Sequence, residues 1–181
     1  MHERRFHRAI ERLRDPERID RLEIARVVKV TLEGPIKPQS VLDVGMGSGL
    51  FAEAFSAEGL LVAGVDANPE MIPAAISFVP AGVFKTGIAE ELPFNDDEFD
   101  LVFMGLVLHE TDDQVKALQE AFRVCAKRLA VLEWPYEVQE FGPEMEERIR
   151  EEEIQRWAEA VGFTSNKGIH MKNLMLYLLD K

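Results

Sequence analysis

A single cysteine, Cys125, stands among 181 residues, which excludes a disulfide framework and any metal cluster built on cysteines. Long apolar runs are missing too. The longest, LVFMGLVL over Leu101–Leu108, is about one strand long and far short of the roughly 20 residues a membrane helix needs. The opening MHERRFHRAIERLRD has no apolar core of the kind a secretory signal carries, so a cytoplasmic protein without a membrane span is expected. Positive charge is scarce, with 21 Lys and Arg against 33 Asp and Glu, a net of −12. Residues 1–40 hold ten basic and seven acidic side chains, a local +3 that leaves −15 for the rest. Such a body repels a nucleic-acid backbone, and no basic stripe with interleaved aromatics offsets it. No Gly-Lys-Ser/Thr occurs, so a P-loop is excluded.

The chain does have the means for one globular domain: 46% apolar and 30% charged residues in a length that supports one substantial core. Its first part predicts two helices, Arg4–Leu13 and Pro16–Leu32, the second started by Asp15 and Pro16 and stopped by Gly34-Pro35. Beyond residue 38 the pattern changes to short apolar strands alternating with amphipathic stretches. SVLDVG precedes LFAEAFSAEG, LVAGVD precedes PEMIPAAISFV, and GVFKTG, FDLVFMGLVL and RLAVLEW follow with helices between and after. Continuous apolar strands of this kind belong to a parallel sheet covered on both faces. The predicted fold is therefore α/β, a Rossmann-like, mostly parallel sheet of about six or seven strands with helices on both faces. Residues 1–38 form a helical segment capping the site, and 39–181 the Rossmann-like domain. The tail NKGIHMKNLMLYLLDK has room for one or two more strands.

The densest chemical signal is VLDVGMGSGLFAEAF, Val41–Phe55, with glycines at 45, 47 and 49 and Asp43 two residues ahead of them. Glycine lets the main chain approach a ligand closely and adopt positive φ, and the helix that follows presents unpaired N–H groups. Asp66 ends the second strand, on the same sheet edge, where a carboxylate can accept hydrogen bonds from both ribose hydroxyls. A dinucleotide fingerprint requires G-x-G-x-x-G, but the spacing is G-x-G-x-G and Leu50 occupies the third-glycine position. A nicotinamide-dependent oxidoreductase is disfavoured, and an adenosyl-amino-acid cofactor fits better.

On these motifs the sequence resembles the class I S-adenosylmethionine-dependent methyltransferases, over roughly Ser40–Phe163. VLDVGMGSG looks like the family's first motif, VAGVDANPEMI its second, and GIAEELPFNDDEFDLVFMGLVLHE its third and fourth. The chain is similar in finer detail to the ubiquinone and menaquinone biosynthesis branch, as DPERIDRL, LEWP and GPEMEERIREEEIQRWAEAVGF suggest. The resemblance implies S-adenosylmethionine as cofactor and S-adenosylhomocysteine as product. It implies that backbone groups around Gly45 and Met104-Gly105 hold the methionine ammonium, that Asp66 holds the ribose, and that Ile88-Ala89 edge the adenine. Asp43, Met46, Gly47, Gly49, Ala67 and Met71 complete the implied set. Two departures stand out: Ile88 replaces a usual aspartate, and the Pro-Gly-Gly turn before the fifth strand is absent, RVCAKRLAVLEW running straight on.

Methyl transfer needs alignment and dryness more than a protein nucleophile, and a base helps if the acceptor is a hydroxyl or phenol. His109, just beyond the fourth strand, is the candidate base. HETD does not extend to HExxH, and no metal site is expected. Trp134 and Tyr136 after the fifth strand, and Phe6 in the first helix, are candidate walls for the acceptor. His2, His7 and His170 read as structural or solvated, Cys125 as a buried helix residue. The acid-rich stretch Glu144–Glu153 reads as a solvated helical face balanced by Arg148 and Arg150. A chain with no added substrate domain points to a small-molecule acceptor and no nucleic acid; the alternative is a non-catalytic S-adenosylmethionine-binding module or partner subunit. Nothing in the sequence specifies an oligomeric state.

Overall fold

The computed structural model describes residues 10–181. Three helices lead: α1 (Ile10–Leu13), α2 (Pro16–Leu22) and α3 (Ile24–Leu32). Asp15 caps α2 as the sequence predicts, its carboxylate accepting from the N–H groups of Glu17 and Arg18 with Pro16 in the first turn. The single predicted helix 16–32 is broken at Glu23, which takes a left-handed conformation (φ 48°). The cause is tertiary: the Glu23 carboxylate accepts from Lys172 N–H and from Arg26, and Arg26 reaches the carbonyl of His170.

The sheet then builds from β1 (Ser40–Val44), β2 (Leu61–Asp66), β3 (Val83–Thr86), β4 (Phe99–Gly105) and β5 (Cys125–Glu133), interleaved with α4 (Leu50–Ala57), α5 (Met71–Phe78) and α6 (Gln114–Val124). After α7 (Glu151–Val161), β6 (Ser165–His170) and β7 (Met175–Asp180) close it as an antiparallel hairpin. The strand order is β3-β2-β1-β4-β5-β7-β6, parallel through β5 and antiparallel beyond it. The order reverses between β1 and β4, so their carboxyl ends form the crevice where such sheets bind ligands.

Alternation along the strands separates two cores. Leu42, Val44, Val102, Met104 and Val131 face α6 and α7. Val41, Leu101, Phe103, Ala130 and Leu132 face α3 and α4, where Phe103 meets Phe51 and Phe55 at ring separations of 4.6 and 5.3 Å. Both faces are covered, which accounts for the continuous apolar runs.

Two expectations are corrected. Cys125 is no helix residue: α6 ends at Val124, and Cys125 opens β5 directly, fully buried, so helix and strand join without a loop where the turn is missing. The stretch 144–150 is not a helical face either. It holds one 3-10 turn (Met145–Glu147), and helix begins only at Glu151. Arg148, far from balancing surface charge, is buried and donates to the carbonyls of Pro135, Glu137, Phe141 and Pro143. Those acceptors wrap the segment after β5 around one guanidinium.

Candidate active site

The glycine loop is held by its backbone. Gly45 and Met46 N–H both donate to the Val65 carbonyl (2.8 and 3.2 Å), which carries the β1 chain over the end of β2. Gly45, Gly47 and Gly49 have φ of +67°, +53° and +77°, conformations that disfavour any side chain. At Gly45 the space is closed as well: a β-carbon would lie 2.4 Å from Val107 Cγ2 and 2.8 Å from Val107 Cβ.

Two aspartates organise the loop differently. Asp43 is buried and accepts from Ala52 N–H (3.0 Å) in the first turn of α4. Burial pushes its carboxyl up to about 8, against the opposing Ala52 hydrogen bond and with the nearby Asp66 adding to the rise. Asp66 accepts from Gly47 N–H through Oδ2 and from Asn68 N–H through Oδ1, both at 2.8 Å. Burial raises its pKa also, and the two amides oppose the rise. The Asp66 carboxylate is thus locked between the glycine loop and the β2–α5 turn, at the wall of a cavity of about 510 Å³.

That cavity gathers residues from the ends of β1, β2, β4 and β5. Gly45, Asp66, Ala67, Met71 and Gly105 line it, with His109 and Trp134 beyond them. Asp43 and Met46 line a smaller adjoining recess. Gly47 and Gly49 shape the loop, Gly47 by fixing Asp66 and Gly49 by leaving α4 at close approach to Ala75. Besides Gly47 and Gly49, four predicted residues are not among those lining the cavity. Ile88 is half exposed, Ala89 packs in the α6-side core, and Met104 is fully buried there. Tyr136 lies against Arg150, which donates to its hydroxyl (2.9 Å). Phe6 lies outside the described residues, as do His2 and His7.

His109 sits in a 3-10 turn (Leu108–Glu110) just past β4. Its Nδ1 is 2.8 Å from Glu133 Oε2, and its backbone N–H donates to Glu133 Oε1 (3.2 Å). Burial works against a charged ring, but the Glu133 carboxylate and its hydrogen bond outweigh it, with Glu110 and Glu147 adding to the effect. The pKa therefore sits above the ordinary histidine value.

Several residues of the site, in its wall or behind it, escaped the sequence reading. Glu133, buried at the end of β5, was legible only as a lone charge closing the apolar run in VLEW. Leu106, at φ 59°, gave no signal because it occupies a conformation unusual for leucine. Leu13, Arg21 and Leu22 reach the cavity from α1 and α2, and Gly142 and Pro143 from the segment that Arg148 gathers. Arg21 also stacks on Phe141 (3.5 Å), joining the two walls.

The donor set suits an adenosyl-amino-acid. A carboxylate fixed by two amides is placed to accept from a diol, a side-chain-free loop lies beside it, and the cavity volume is that of a small-molecule site. Among the described residues no group of three or more His, Cys, Asp or Glu could hold a metal ion, and no helix is long and apolar enough to cross a membrane.

Comparison with known proteins finds methyltransferases in sequence and in fold. Residues 42–128 match the family described as "Methyltransferase domain". The chain is 44% identical over 89 residues to the uncharacterized methyltransferase YcgJ of Bacillus subtilis, covering 46% of this chain and 35% of that protein. It is 34% identical over 105 residues to the demethylmenaquinone methyltransferase of Chlorobaculum tepidum, covering 58% and 43%. The chain therefore spans about a third to two-fifths of the length of these curated relatives. Its fold superposes on a SAM-dependent methyltransferase from Aquifex aeolicus with a TM-score of 0.80 at 25% identity, over 94% of this chain and 96% of that one.

Proposed function

We propose, from the methyltransferase-domain match over residues 42–128 and the fold shared with a SAM-dependent methyltransferase, that this chain uses S-adenosylmethionine to methylate a small-molecule acceptor whose nucleophile carries a proton, a hydroxyl or phenol first. The observation that carries the reading is that one cavity is lined both by Asp66, amide-locked beside the glycine loop, and by His109, held by a carboxylate.

When bound, S-adenosylmethionine would supply an activated methyl group to the acceptor atom, with its sulfur keeping the electron pair of the carbon–sulfur bond. The chain's residues do the rest. Asp66 accepts from the ribose hydroxyls, and Gly45 and Gly105 leave room for the amino-acid end. Leu13, Leu22 and Trp134 wall the cavity with apolar surface and exclude water. His109 takes the acceptor's proton. Alignment alone is worth about 7–11 kcal/mol in well-oriented systems, so a base contributing a few more suffices.

Residues 10–22 form one wall of the cavity, which supports a capping role for the N-terminal segment. The relative named for demethylmenaquinone supports a small acceptor, and the net charge of −12 speaks against a nucleic-acid one. A cytoplasmic setting accords with a chain whose single cysteine is a buried, unpaired thiol.

Methyl-labelled S-adenosylmethionine incubated with a panel of phenols, quinols, amines and thiols tests the proposal. Label transferred to an oxygen acceptor, with a rate that climbs with pH, is expected. Transfer only to thiols or amines refutes the acceptor class, and cofactor binding without transfer to any of them would make the chain a binding module.

A further inference from the structure

Glu133 is 2% exposed and follows four fully buried apolar residues, Leu129–Leu132, at the end of β5. A carboxylate there is costly unless it is bonded and paired. Its contacts go to one neighbourhood. Oε1 accepts from His109 N–H (3.2 Å), while Oε2 meets His109 Nδ1 (2.8 Å) and accepts from Trp134 N–H (3.2 Å). Among the described residues its ion-pair partner is His109, and no lysine or arginine pairs with it.

The chemistry of that contact decides a tautomer. An ionised carboxylate only accepts, so a ring nitrogen at 2.8 Å from it must carry the proton. The lone pair of neutral His109 is then on Nε2. The nearest carboxylate on that side, Glu110 Oε1, is 3.8 Å away, beyond hydrogen-bond distance. His109 and Trp134 both line the cavity, and one carboxylate fixes the backbone of each.

We propose that Glu133 is a positioning residue for methyl transfer: it holds the His109 proton on Nδ1, leaves Nε2 as the nitrogen that takes the acceptor's proton, and supplies the counter-charge for the imidazolium that results. The catalytic consequence rests on the methyl-transfer reading, whereas the tautomer does not. Proton balance is simple. The acceptor's hydrogen moves to Nε2 as its oxygen bonds the methyl carbon, and the ring later releases that proton to solvent.

The test is nitrogen-15 NMR of histidine-labelled full-length chain, with the His109 signals assigned from a His109→Asn variant. In the wild type, neutral His109 is expected as the Nδ1–H form; an Nε2–H form overturns the proposal without any further variant. Glu133→Gln keeps the shape and removes the charge. Its His109 titration midpoint is expected to move down by a unit or more, although Glu110 and Glu147 still face the ring from the two 3-10 turns. Glu133→Leu removes the acceptor and is expected to release the ring to the Nε2–H form. An unmoved midpoint in the first variant and an unchanged tautomer in the second overturn the proposal. With an acceptor in hand, Glu133→Gln should lower kcat by roughly tenfold or more while the affinity for S-adenosylhomocysteine, read by calorimetry, stays as in the wild type. If the NMR results hold but no acceptor is methylated, the methyl-transfer reading fails and the positioning of His109 stands.

Discussion

Replacing Gly45 by alanine should destabilise the protein through two separable effects. The first is conformational: φ at 45 is +67°, and a residue with a β-carbon in that region gives up about 1–2 kcal/mol. The second is steric. The new methyl would lie 2.4 Å from Val107 Cγ2, where carbon atoms prefer about 3.5–4.0 Å, and overpacking of this kind costs about 1–3 kcal/mol. Gly45→Ala should therefore lose about 2–5 kcal/mol in urea unfolding. Val107→Ala alone removes two methyl groups from a partly buried side chain, worth about 1–2 kcal/mol. The double variant removes the γ-carbon contacts but keeps the Val107 β-carbon at 2.8 Å along with the conformational cost, so it relieves part of the clash and should be more stable than the sum of the singles predicts by about 1 kcal/mol. Strict additivity, within about 0.5 kcal/mol, would refute the claim that the glycine is demanded by the close approach of the segment after β4. A loss below about 1 kcal/mol for Gly45→Ala alone would refute the strain argument as well.

Stability should also depend on pH through the buried acid. Asp43 titrates near 8 in the fold against 3.8 ordinarily, so between those values the folded state holds a proton that the unfolded chain has released, and stability falls as pH rises. His109, with its raised pKa, adds stability that is complete below about 6.5 and is lost as pH climbs through its folded value. Asp43→Asn should flatten the decline in unfolding free energy between pH 5 and pH 9, and an unchanged slope would show that Asp43 is ionised throughout. Arg148→Met should free the segment 135–143 from its four carbonyl contacts. Faster cleavage by a glutamate-specific protease at Glu137 and Glu140 is expected, whereas equal cleavage rates would mean that the segment holds itself.

Much of this fold was legible because its signals are local. The continuous apolar strands, the Asp15-Pro16 helix start and the glycine run each report backbone requirements that the chain meets within a few residues. The half of the site built on β1 and β2 was legible for the same reason: Asp66 and Gly47 lie on the two motifs that the fold brings together. The other half was not. Glu133 is one acid among 33 Asp and Glu, and its role depends on the pairing of β5 beside β4. Arg148 looks like a surface charge until the carbonyls of 135–143 fold around it. The break at Glu23 likewise depends on Lys172, distant in sequence. Ile88 and Met104 entered through the family resemblance and Tyr136 through its place after the fifth strand; their side chains face solvent, the core and Arg150 respectively.

Calorimetric titration of S-adenosylhomocysteine into the wild type and into Asp66→Ala tests the cofactor site most directly. Saturable binding at one site is predicted for the wild type, weakened roughly tenfold to a hundredfold in the variant by loss of hydrogen bonds to a charged group, about 1.5–3 kcal/mol. No binding to the wild type, or equal affinity in the two, would contradict the assignment of the glycine loop and Asp66 to the adenosyl cofactor.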